Sequence, residues 1–145
     1  MKRIATFSLT LILLTLFAAS AFAQPSNKAA VVNPTANHVV ISQTRTSPLA
    51  GVSFVELYNP TSSAVDISGW DLMLSDNLGT TSLVVTINPS VSIQPFSFYL
   101  IGSAAIHGGA TSDTTVAFSI SYTGGVAILD AGDVVVDAVG FSGAP

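Results

Sequence analysis

The chain contains no cysteine. That excludes disulfide staples, thiolate zinc sites and a lipid carried on an N-terminal cysteine. Charge is nearly as scarce, with four Lys and Arg and eight Asp and Glu in 145 residues. Nucleic-acid binding depends on clustered bases that neutralise phosphates, and anionic membrane surfaces ask for the same clusters, so neither is expected as a partner. Two histidines, His38 and His107, are too few for a zinc centre when no cysteine or well-spaced acid supports them. No Gly-x-Ser-x-Gly run, no phosphate-binding Gly loop before a helix and no sustained helical period beyond the N-terminus are present. Hydrolytic chemistry therefore has no nucleophile mount, and no catalytic, cofactor-binding or metal-binding residue is assigned.

What is present begins with an address. Lys2 and Arg3 precede an apolar run from Ile4 to Ala19, and Ala21-Phe22-Ala23 supplies a small-x-small cleavage site before Gln24. This pattern predicts a secretory signal peptide over residues 1–23, too short for a bilayer span of about 20 apolar residues. Cleavage removes Lys2 and Arg3 and so takes the net charge from −4 to −6. The expected location is secreted, periplasmic or extracellular, with no membrane-embedded part left after cleavage. Residues 24–37 are polar with Pro and Asn and are expected to form a flexible tether. Residues 38–145 are left for one domain with one core.

Within that domain, short apolar runs rich in Val, Ile, Thr, Phe and Tyr alternate with Gly, Pro, Asn, Asp and Ser at intervals of about ten residues. The expected class is all-β, with strands over 39–43, 52–59, 70–75, 82–87, 97–102, 114–121, 126–130 and 134–141. A two-residue period places Val55 and Leu57 inward, because burying Glu56 unpaired would be costly. It likewise points Trp70, Leu72 and Leu74 in, and sets Val134, Val136 and Ala138 against Asp133, Val135 and Asp137. Trp70, the one tryptophan, is expected to mark the centre of the core. Three Asn-Pro-Thr/Ser runs, at Asn33, Asn59 and Asn88, fail as glycosylation acceptors because of the central proline and read as strand stoppers.

Three features invite a functional reading. Glu56 is either a ligand or ion contact or a structural carboxylate tied to Arg45 or to turn N–H groups. Asp130-Ala131-Gly132-Asp133 resembles a calcium loop, but two carboxylates around a Gly fall short of six to eight oxygens, so a hairpin turn is expected there and at Ser75-Asp76-Asn77-Leu78-Gly79. Ile106-His107-Gly108-Gly109 has the look of an esterase oxyanion loop without the nucleophile that such a loop serves. The scarcity of Lys also leaves sheet edges unguarded, so an edge strand is expected either to accept a partner strand or to be covered by a loop.

Phe54-Val55-Glu56-Leu57-Tyr58-Asn59-Pro60-Thr61, followed by Val65-Asp66-Ile67-Ser68-Gly69-Trp70-Asp71-Leu72, resembles the core motif of the lamin tail domain family. The strand at 39–43 and the segment 126–140 are similar to the family's first and near-last strands. The resemblance spans roughly His38 to Phe141 and implies an immunoglobulin-like β-sandwich. Two departures stand out. Ser42-Gln43 occupies the place where bacterial members often carry an acid, and the chain stops at Pro145 where members commonly add an extended segment. Either that last edge is dispensable or the chain is a piece of a longer protein. The resemblance implies a non-catalytic module for protein interaction or scaffolding, with a protein or cell-envelope component as partner and no cofactor. Two alternatives go with it: an accessory N-terminal domain of an exported hydrolase or nuclease, and a calcium-dependent adhesin module.

Overall fold

Strict apolar–polar alternation can bury one face of a strand while leaving the other in water, and two such faces close a core between them. The computed structural model describes residues 36–47, 49, 51–103 and 110–142. The expected signal segment, Lys28, most of the tether and His107 lie outside the described residues.

Ten strands are described: β1 (Val40–Arg45), β2 (Phe54–Tyr58), β3 (Val65–Asp66), β4 (Asp71–Ser75), β5 (Thr81–Thr86), β6 (Ser92–Ile93), β7 (Phe98–Gly102), β8 (Thr114–Thr115), β9 (Thr123–Leu129) and β10 (Val135–Ser142). The first sheet runs β1-β2-β7-β8, the second β10-β9-β4-β5, and β3 pairs with β6 in a small third sheet. All pairings are antiparallel except β7–β8. No helix occurs among the described residues.

One core joins the two large sheets. Val55, Leu57 and Ile101 enter it from the first, Leu72, Val126 and Ile128 from the second, and Ile93 from the small sheet. Val55, Leu57, Leu72, Ile101 and Ile128 are fully buried, and each contributes roughly 1.5–3 kcal/mol. The inward assignments of Val55, Leu57 and Leu72 hold. Trp70 is buried in the same cluster but keeps 9% of its surface, so the centre is aliphatic rather than indole.

The structure corrects three expectations. First, a short strand at Val65–Asp66, absent from the expected strands, precedes the one expected over 70–75. β3 ends at Asp66, and Gly69 at φ +74° turns the chain before β4 begins at Asp71. Second, β10 carries a bulge between Val135 and Asp137, where Val136 is the unpaired residue. Val134, in the turn before β10, is 62% exposed; past the bulge the period slips, so Ala138 faces out while Val136, Val139 and Phe141 pack on the core. Third, only Thr114–Thr115 of the segment 114–121 joins a ladder. The remainder stays alternately buried, with Phe118 and Ile120 inside, yet its backbone bonds to Ser47 and Gly51 rather than to a strand: Ser47 N–H to Ile120 O at 2.8 Å and Gly51 N–H to Phe118 O at 3.2 Å. Ser53, fully buried, ties this crossing down by accepting the Ile120 N–H at 2.8 Å and donating to Ser47 O at 3.2 Å.

β9 lies between β4 and β10 at close quarters. A Cβ on Gly124, at φ +113°, would fall 2.1 Å from the carbonyl oxygen of Ser75, so no other residue fits that position.

Candidate functional site on the outer face of the first sheet

The two-residue period that buries Val55 and Leu57 turns Phe54, Glu56 and Tyr58 to the opposite face. The register then sets their neighbours. Tyr58 lies between Val40 and Phe98, Glu56 between Gln43 and Leu100, and Phe54 between Arg45 and Gly102. Tyr58 and Phe98 are in ring contact, with centroids 4.7 Å apart at an interplanar angle of 31°. Phe98 nevertheless remains 58% exposed. The pair is a cross-strand aromatic contact on a solvent-facing surface.

Beside that pair, β1 bulges between Ile41 and Gln43, so that Ser42 and Gln43 together oppose Glu56. Both are exposed. Ser42 Oγ donates to Glu56 Oε1 at 2.7 Å and reaches Glu56 O at 3.2 Å. Glu56 is thus held by a hydroxyl, and of the two expected structural partners neither Arg45 nor a turn N–H is the one found among the described residues. The outer face presents an aromatic pair, a carboxylate, a hydroxyl and an amide within three strands. It can stack and hydrogen-bond.

The other sequence-level candidates resolve into turns. Asp130 Oδ1 accepts the N–H of Gly132 at 2.8 Å and of Val134 at 3.0 Å, while Asp133 N–H bonds Asp130 O at 3.0 Å. Asp76 does the same, accepting Leu78 N–H and Thr80 N–H at 2.8 Å each. Hydrogen bonding from the Thr80 N–H, with help from Leu78, the Thr80 hydroxyl and Gly79, holds the Asp76 carboxyl below its ordinary value against the opposing effect of desolvation. Asp66 is lowered likewise by the Ser68 side chain and by its N–H, which lies 2.9 Å from Asp66 Oδ1. Among the described residues no group of three or more His, Asp or Glu is placed to hold a metal ion. His38 is exposed, its Nδ1 3.1 Å from Asn37 Oδ1.

Two polar residues matter more than their motifs indicated. Asn59 is fully buried, and its Nδ2 donates to Ser63 O at 2.8 Å, Ile93 O at 3.0 Å and Gln94 O at 3.2 Å. Its Oδ1 accepts Thr61 N–H at 3.0 Å and the Thr61 hydroxyl at 2.8 Å. This one amide fastens the turn after β2 to the end of β6. Asp137, next to the β10 bulge, accepts the Ile41 N–H at 2.7 Å and so joins the free edges of the two large sheets. Only a short polar residue after an apolar strand signals the first role, and nothing local signals the second.

A strand, an Asn-Pro-Thr turn built on a buried amide, and a Gly turn delivering Trp70 to the core are now in place. The family model for the lamin tail domain matches residues 33–143. This chain belongs to the lamin tail domain family. No curated protein matches it. The lamin tail domain is a non-catalytic immunoglobulin-like module, which agrees with the all-β architecture described above.

Proposed function

We propose that this lamin tail domain protein is an exported, non-catalytic binding module that engages a cell-envelope component through the outer face of the first sheet. The observation that carries the proposal is the Tyr58–Phe98 contact, which leaves Phe98 58% exposed beside the Glu56–Ser42 pair. Large aromatic side chains with a water-facing ring and an adjacent oriented polar group are typical binding anchors. The signal-peptide pattern before Gln24 supports export, and the −6 charge expected of the exported chain argues against nucleic acid and anionic lipid surfaces.

The test is retention of envelope fractions by the immobilised protein, compared with a Phe98→Ala variant. Specific retention that weakens in the variant is the expected result. Retention of nothing specific, or retention indifferent to the substitution, overturns the proposal.

A further inference from the structure

We infer that the envelope component taken by this face is a neutral glycan, an inference that rests on the binding reading just given. The turn that opens β7 carries the first reason. Ser97 N–H bonds Gln94 O at 3.2 Å across Pro95 and Phe96, and Phe96 sits at φ +56°. The third position of such a turn asks for a left-handed conformation that suits glycine and disfavours any side chain. Here it holds a phenylalanine that is 61% exposed. Packing does not explain a large aromatic kept in water on an unfavourable backbone, whereas ligand contact does. Phe96 lies two residues before Phe98, which opens β7 with its ring against Tyr58.

Charge and hydrogen bonding narrow the ligand. Among the described residues Arg45 is the one base, so an anionic polymer finds no cluster of cations. A second copy docking face to face would bring both Glu56 carboxylates into one interface with few bases to compensate. A pyranose fits both halves of the surface. Its C–H face, slightly positive, lies against the negative face of an aromatic ring, and its equatorial hydroxyls reach outward to carboxylate and amide groups. The site already displays that second contact, since the Ser42 hydroxyl donates to Glu56 Oε1 at 2.7 Å. A sugar hydroxyl is the same donor for the same acceptor, and Gln43 adds both an acceptor and a donor.

The purified protein is tested for co-sedimentation with cellulose, chitin and an insoluble β-1,3-glucan at about 0.05 M and about 0.5 M salt. The expected result is retention on at least one of them, unchanged by salt and weakened about tenfold in Phe98→Ala. Phe96→Gly relaxes the turn, so it is expected to keep its melting temperature and still lose affinity. No retention on any glycan, together with salt-sensitive retention of an envelope protein, overturns the glycan while leaving the binding module standing. Retention of neither overturns both. Glycan retention that both variants share with the parent places the ligand elsewhere and overturns the inference.

Discussion

At the scale of single residues, the fold leans on a few polar groups that must be satisfied once buried. Asn59 has the most such partners. Replacing it with alanine leaves the carbonyls of Ser63, Ile93 and Gln94 without their amide donor in a region that water reaches poorly. Asn59→Ala is therefore expected to lose about 3 kcal/mol in urea unfolding, with its midpoint lowered and its slope unchanged. Asp66 and Asp76 set an acid limit. Both carboxyls are held below their ordinary value by hydrogen bonds that exist only in the folded chain. Their stabilisation is complete above the unfolded value near 4 and is lost as the pH falls through the lower folded values. Thermal melts between about pH 6 and about pH 2.5 are expected to hold steady until about pH 4 and then drop. Asp76→Asn retains an acceptor at the same place and should flatten part of that drop.

Among the elements, two loops solve the same problem with different residues. The β4–β5 and β9–β10 connections each use an Asp whose Oδ1 accepts two N–H groups, and each bends at the fourth residue, Gly79 at φ +82° and Asp133 at φ +62°. Glycine adopts that conformation freely and aspartate does not. Asp133→Gly is thus expected to be neutral or stabilising by up to about 1 kcal/mol, whereas Gly79→Asp should destabilise by a similar amount. Thermal unfolding of the pair of variants checks both signs. These loops were legible because Asp and Gly between apolar runs have one common use. The bulges were not. Nothing around Ser42 or Val136 announces an extra residue, since a bulge is set by how two strands meet rather than by either strand alone. That is why the alternation places Val55, Leu57 and Leu72 correctly yet puts Ala138, past the β10 bulge, on the wrong side. It is also why the sequence points from Glu56 to Arg45, when the bulge brings Ser42 to it instead.

For the whole molecule, edges decide how the sandwich meets its surroundings. Asp137 closes the β1 and β10 edges onto each other through the Ile41 N–H, and Asp113 caps β7 by accepting the Leu100 N–H at 2.8 Å. β5 keeps an outer edge that pairs with no further strand among the described residues, with Leu83 55% exposed. The expectations for an unguarded edge are a partner strand or a covering loop; at β1, β10 and β7 a carboxylate bonds the edge instead, while β5 keeps an open one among the described residues. The sandwich itself followed from the alternation and from the span between Phe54 and Trp70. The exposed aromatics on which the proposed binding surface rests did not, because no motif singles out Phe96 or Phe98 in the sequence. Their exposure depends on a turn conformation and a register that no local pattern encodes.

The outer face and the open β5 edge are far enough apart in the topology to be told apart residue by residue. The direct measurement is a two-dimensional NMR titration of the purified protein with a soluble oligosaccharide of whichever glycan retains it. Shifts are expected at Gln43, Glu56, Tyr58, Phe98 and Leu100, with Thr81–Thr86 unmoved. Shifts confined to Thr81–Thr86, with the outer face of the first sheet silent, would contradict the account.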